Sequence, residues 1–214
     1  GQVTALAAYL GAWELNEMAL VLHGKGSLSD WEFEGFAGSL YGDLVLGTSL
    51  FYNAGALGYY ADLNVTLPES DSFIRALLGV QLKPSESTHL NAEVYLQSLG
   101  ETDPADYITQ YTSPRFGRGE LWLAGQVYGA VAGQLELTPL LKLGGALVYN
   151  PLDSSVFAMP SLVWSVAENA TASAGGLIGI GQGARVDAAL GEVGLRSEFG
   201  HLPSVVFLSA SLFY

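Results

Sequence analysis

The sequence predicts an all-β fold: an antiparallel up-and-down transmembrane β-barrel of about ten to twelve strands. Short turns are expected on one rim and longer loops on the other. Three observations predict it. First, the closing segment alternates: Val206, Leu208, Ala210, Leu212 and Tyr214 are apolar, with Ser209 and Ser211 between them. Period two makes a strand with one apolar and one mixed face, and its last ring suits a membrane–water boundary. Second, the chain holds 27 Gly, 11 Tyr and 9 Phe, with 50% hydrophobic but only 14% charged residues, against about 25% charged in soluble proteins. Third, no apolar run reaches the roughly 18 residues of a membrane-spanning helix, so the apolar surplus falls on strands.

The first elements expected along the chain are Thr4–Ala12 and Glu17–His23, then Trp31–Tyr41 and Leu44–Asn53, where Glu32 and Glu34 share a face. Phe73–Lys83 is cleaner: Ile74, Ala76, Leu78, Val80 and Leu82 oppose Arg75, Leu77, Gly79, Gln81 and Lys83. Thr88–Ser98 is the cleanest, with Leu90, Ala92, Val94 and Leu96 against His89, Asn91, Glu93, Tyr95 and Gln97. The polar turn Pro84-Ser85-Glu86-Ser87 joins these two as a hairpin with matching faces. Glu120–Val131 follows, with Glu120, Trp122, Gln126 and Tyr128 on one face. Leu140–Tyr149, Val156–Val166 and Thr171–Ile180 precede the closing strand. Pro160 inside Val156–Val166 argues for a bulge or a strand end there. The total is about eleven strands of about ten residues, the length of a tilted membrane strand. Gly58–Leu67 also alternates, but a twelfth strand there upsets the loop alternation, so Ala54–Ser72 is read as a long loop, with Gly100–Gly119 and Gly181–Pro203. An odd strand count conflicts with the even counts of bacterial barrels. The preferred reading is one domain over 1–214 that forms the C-terminal part of a larger barrel. The Gly1-Gln2-Val3 start carries no signal-peptide pattern, so a leader is already removed or the chain is a fragment.

The net charge of −13 with only 8 Lys+Arg argues against nucleic acid as a partner. Absence of Cys excludes disulfides and thiolate metal sites. Aromatic residues near expected strand ends, Trp13, Trp31, Tyr41, Tyr52, Tyr149 and Tyr214, suit interfacial girdles. The expected partners are outer-membrane lipids and lipopolysaccharide on the apolar face, with the barrel-assembly machinery engaging the C-terminal strand.

Several motifs, taken in order, resemble the C-terminal half of an uncharacterised porin-like outer-membrane β-barrel family of Gram-negative bacteria. They are Glu32-Phe33-Glu34-Gly35-Phe36-Ala37, Arg75–Gln81, Gly117-Arg118-Gly119-Glu120-Leu121 and Pro139-Leu140-Leu141. Then come Tyr149-Asn150-Pro151-Leu152-Asp153, Pro160-Ser161-Leu162-Val163-Trp164-Ser165, Glu168-Asn169, Ser197-Glu198-Phe199-Gly200-His201-Leu202-Pro203 and the closing strand. Pro151-Leu152-Asp153-Ser154 departs from the Asp-Asp or Asp-Gly usual after that Tyr-Asn. The resemblance implies an envelope barrel that can serve as a pore, and carries no catalytic residues.

Chemistry-bearing patterns are sparse. Gly179-Ile180-Gly181-Gln182-Gly183 precedes Val186–Val193, which could be helical, but the spacing is wrong for a dinucleotide turn and no βαβ unit surrounds it. It reads as glycine flexibility at a strand-to-loop junction. His23, His89 and His201 are far apart, and the acidic runs Glu69-Ser70-Asp71 and Glu101–Asp106 miss the calcium-loop pattern. No metal, cofactor or catalytic residue is expected. Glu17, Glu32, Glu34, Arg75, Gln81, Lys83, His89, Asn91, Glu93, Tyr95, Glu120 and Gln126 are expected to line a lumen. Leu78, Val80, Leu90, Val94, Leu96, Leu208, Leu212 and Tyr214 are expected to face membrane. With acids in excess inside, such a barrel passes ions or small solutes passively with weak cation preference, or serves only as an envelope structure. Two alternatives remain. A soluble lipocalin-like barrel requires Leu90, Ala92, Val94 and Leu96 to point inward. An outer-membrane lipid-modifying enzyme requires His, Ser and a carboxylate to converge at one rim.

Overall fold

The computed structural model describes residues 1–9, 18–69, 71–187 and 192–213. Glu17, Trp13 and Tyr214 lie outside them. Among the described residues, twelve strands form one antiparallel sheet whose order is the order of the chain. They are β1 (Gln2–Tyr9), β2 (Met18–Leu28), β3 (Trp31–Leu40), β4 (Asp43–Ala54), β5 (Leu57–Leu67), β6 (Phe73–Ser85), β7 (Thr88–Gln97), β8 (Val127–Thr138), β9 (Leu141–Asn150), β10 (Ser155–Ala167), β11 (Ala170–Ile180) and β14 (Val205–Leu212). The two-stranded pairing of β12 (Arg185–Asp187) and β13 (Glu192–Gly194) sits in the last connection, where the sequence admits a helix over 186–193 as one reading. The chain divides into two units, Gly1–Gln81 with Tyr95–Leu99 and Leu82–Val94 with Gly100–Tyr214.

Twelve strands rather than eleven arise because Leu57–Leu67 is β5, not part of a long loop. The turn before it is only two residues. Gly55 adopts a φ of 74°, and the Asn53 side chain accepts a hydrogen bond from the Gly55 amide at 3.1 Å. Asn and Gly make such a reversal possible where other residues are strained. Tyr41 and Gly42 turn β3 into β4 with φ of 53° and 86°. Positive φ at both central residues matches the right-handed strand twist.

Connections taken alternately along the chain differ sharply. The set 29–30, 55–56, 86–87, 139–140 and 168–169 is two residues each time. The other set includes 41–42 and 68–72 but also 98–126, 151–154 and 181–204. The first long connection carries a 3₁₀ turn at Pro104–Asp106, α1 (Tyr107–Tyr111) and α2 (Pro114–Gly117). The Ser113 hydroxyl caps α2 by accepting from the Phe116 amide at 3.2 Å.

Register keeps side-chain chemistry sorted, because directly opposed residues in an antiparallel sheet share a face. In the first unit Leu22, Ala37, Leu46 and Val65 form one apolar row across β2–β5, and Leu28, Trp31, Tyr52 and Tyr59 form another. Trp31 and Tyr52 have ring centroids 4.5 Å apart. On the opposite face Lys25, Glu34, Ser49 and Asp62 align, next to His23, Phe36, Gly47 and Asn64. In the second unit Leu135, Leu143, Leu162, Ala174 and Leu208 share a face. Ser165, Thr171 and Ser211 share the other.

Pro160 produces neither bulge nor strand end. It lies inside β10 opposite Gly145. Pairing with β11 skips residues 159 and 160, then resumes at Ser161 in the same register. The missing N–H falls in that gap.

Candidate functional site: a polar face with a buried carboxylate at its mouth

The sequence-selected polar residues are spread over several strands. In the first unit, Glu32 and Glu34 lie on β3, and Glu34 Oε2 is 3.0 Å from His23 Nε2 on β2. Gln2, Lys25, Ser27, Glu32 and Glu34 surround a shallow recess of about 310 Å³. Arg75 sits on β6 with its guanidinium 5.6 Å from the Phe73 ring centroid, and Gln81 is exposed on the same strand. On β7 the Tyr95 hydroxyl donates to Gln97 Oε1 at 3.1 Å.

In the second unit, Lys83 (β6) and His89 (β7) are exposed, and Asn91 donates to Glu93 at 3.2 Å. Glu120 and Gln126 are corrections, because β8 begins only at Val127. Both belong to the 98–126 connection. Arg115 and Arg118 clamp Glu120 at 2.6 Å each, while Leu121 is buried and Ala124 packs in a buried cluster with Tyr107 and Leu195. The apparent alternation over 120–126 reflects loop packing, and strand pleat begins only at Val127.

The residues placed on the apolar face are also located. Leu78 is 62% exposed and Val80 half-buried. Leu90, Val94, Leu96, Leu208 and Leu212 are all exposed, Leu208 at 81%.

The most ordered polar geometry was not selected from sequence at all. It lies in the second unit, where 98–126, 151–154 and 181–204 meet. Glu198 is 1% exposed. Its Oε1 accepts from the Ala124 amide at 2.7 Å. Its Oε2 accepts from Asn150 Nδ2 at 2.8 Å and from the Tyr128 hydroxyl. Its own amide donates to Asp153 Oδ2 at 2.6 Å. The next amide, Phe199, donates to Ser155 Oγ at 3.2 Å. Asp153 Oδ1 also takes the Ser155 amide at 2.8 Å, and Asn150 Nδ2 reaches the Tyr107 hydroxyl at 3.0 Å. The buried Glu198, Asn150 and Ser155 side chains each have a partner, as burial demands. Burial pushes the Glu198 carboxyl above the usual carboxylate range, against the pull of its hydrogen bonds from Tyr128, Ala124 and Asn150. Burial also pushes the Tyr107 and Tyr111 phenols upward, so both stay neutral donors.

Strand parity puts this cluster on the polar face. Gly129 and Val131 oppose Tyr149 and Leu147, so Tyr128 and Asn150 point the other way, as do Phe157 and Gly179. The Phe199 ring packs over this end of the polar face, its centroid 6.3 Å from Tyr128 and 5.8 Å from Phe157. Gly179 makes the approach possible: a Cβ there would lie 2.1 Å from the Phe199 carbonyl oxygen. Its φ is not positive. The glycines of 179–183 therefore include a close backbone approach, not only the flexible junction expected from sequence.

A His, two Ser and a carboxylate do converge at this rim. Ser155 and Ser197 are fully buried. Ser197 Oγ donates to the Gln182 carbonyl at 2.8 Å, and Ser155 Oγ accepts from Phe199. The His201 ring meets Tyr111 edge-to-face, with centroids 5.7 Å apart. Among the described residues no Ser–His hydrogen bond is present, and neither hydroxyl is presented to a substrate as a nucleophile must be.

Searches against family models and curated proteins give no match. Two solved structures match at low similarity. A KdgM porin in complex with disordered oligogalacturonate has a TM-score of 0.36 and 6% identity, over 83% of this chain and 88% of that one. A NanC porin in a rhombohedral crystal form has a TM-score of 0.38 and 6% identity, over 99% of this chain and 98% of that one.

Proposed function

We propose that this chain is a passive, porin-like channel for ions or small solutes in a bacterial outer membrane. The observation that carries the reading is the sorting of the two sheet faces. Leu90, Val94 and Leu96 are exposed on β7 while Asn91, Glu93 and Tyr95 between them are half-buried. The same division recurs in the apolar rows of β2–β5 and on β8 and β9. An exposed apolar face on an antiparallel meander suits lipid as its solvent. A lipocalin-like apolar interior needs those leucines covered. On this reading Glu32, Glu34, Arg75, Gln81, Lys83, His89, Asn91, Glu93 and Tyr95 line water. Lipid and lipopolysaccharide contact the apolar face, and the assembly machinery engages β14.

The test is refolding of the full chain in detergent, followed by cold-versus-boiled gel mobility and planar-bilayer recording. A faster-migrating cold band with ohmic conductance is the expected result. A chain soluble without detergent, with mobility unchanged by boiling, defeats the reading. Under a salt gradient the reversal potential should show weak cation preference, since Glu32, Glu34 and Asp62 outweigh Lys25 on the polar face of β2–β5.

A further inference from the structure

We infer that Glu198 is the positioning residue of a constriction: it holds the 181–204 connection over the mouth of the polar face and so sets the size limit of the passage. The inference rests on the channel reading above. Four observations carry it. The 197–202 part of the connection packs against the strands. Glu198 and Phe199 are buried, at 1% and 4% exposure, against polar-face side chains of β8, β9 and β10. If the polar face lines the passage, Phe199 sits in it.

The fastening is also concentrated at one residue. The Glu198 carboxylate gathers donors from Ala124 in one connection, Tyr128 at the start of β8 and Asn150 at the end of β9. Its backbone and that of Phe199 are tied to Asp153 and Ser155. Swinging 181–204 away would strand several buried donors at once, which is costly.

The sheet is shaped to receive the connection. Gly179 admits the Phe199 carbonyl and the Leu202 side chain, whose Cβ would lie 3.1 Å from an added Cβ. At Gly200 an added Cβ would lie 2.4 Å from the Gly181 carbonyl carbon. Finally, both Glu198 oxygens are occupied by donors, so the residue acts by holding the connection and not by offering charge to a passing ion.

The experiment compares wild type, Glu198→Ala and the milder Tyr128→Phe, each refolded as the full chain and scored for the heat-modifiable band. The readouts are single-channel conductance and swelling of liposomes in neutral sugars of increasing size. In Glu198→Ala that keeps the band, conductance should rise about twofold or more with added flicker, as expected when a constriction loosens. A sugar excluded by wild type should then enter. Tyr128→Phe should fall between. Unchanged conductance and an unchanged size limit in a folded Glu198→Ala overturn the inference. If that variant gives no heat-modifiable band, Tyr128→Phe decides, and an unchanged limit there overturns it. A wild type that is heat-modifiable but never conducts sinks the channel reading itself, and the constriction with it.

Discussion

Glu198 sits where a carboxylate is expensive, and three donors are arranged to keep it there. A buried ion of this kind contributes little net stability but is costly to break. Glu198→Ala leaves the Ala124 amide and Asn150 Nδ2 short of an acceptor, at about 1–3 kcal/mol for each buried donor so orphaned. The expected readout is faster tryptic cleavage at Arg185 and Arg196, both within the connection that Glu198 fastens. Protection equal to wild type counts against the assignment. Glu198→Gln should not rescue, because its amide nitrogen must face one of the donors. The pH dependence follows from the raised carboxyl pKa. In the docked connection the proton is held more tightly than in a released one, so protons favour docking. This contribution is full below the ordinary carboxylate range and fades as pH rises through the raised value. Hydrogen-exchange protection factors of 181–187 and 192–204, corrected for intrinsic rates, should therefore decline with rising pH, and Glu198→Ala should remove that slope. At this scale the sequence was nearly mute. The runs Tyr149-Asn150-Pro151-Leu152-Asp153 and Ser197-Glu198-Phe199 stand out in the sequence only as weak motifs in order. Ala124 and Glu198 are 74 residues apart, and no period links them.

Elements divide into those that alternation fixes and those that side chains assemble. Strands β6 and β7 were legible because pleat alone sorts their faces. β5 was missed as an element, although Gly58–Leu67 alternates, because its two-residue entry turn depends on one positive φ and one Asn side chain. The opposite error came at 120–126. There Leu121, Trp122 and Ala124 imitate a strand, while the Arg115–Glu120–Arg118 clamp keeps the segment in a loop. The last connection depends on space as much as on bonds. Gly179→Val puts side-chain atoms where the Phe199 carbonyl lies, and overpacking of this kind costs about 1–3 kcal/mol. It should release 181–204 to trypsin as Glu198→Ala does, while cold-band mobility stays. Loss of the band as well would show that Gly179 serves the strand and not the docking.

For the whole molecule, the sheet faces are the decisive property. An arginine on the apolar face of a membrane strand costs about 2–4 kcal/mol near mid-bilayer and little on the wet face. Leu78→Arg and Leu46→Arg should therefore lower the denaturant midpoint of the refolded chain in lipid, whereas Ser49→Arg should change it little. Equal effects at 46 and 49, neighbours in strand β4 on opposite faces once register is counted, would remove the lipid-facing assignment.

The sequence by itself determined the all-β class, the antiparallel meander and the chemistry of each face. These follow from period-two alternation and from turn residues, which act over a few positions. Only the tertiary structure decided the twelfth strand, the true start of β8 and the knot around Glu198. Those depend on φ at single turn residues, on room left by Gly179 and on donors brought together from one connection and two strands. Such terms are fixed by the spatial meeting of distant residues, and no local pattern in the chain encodes that meeting.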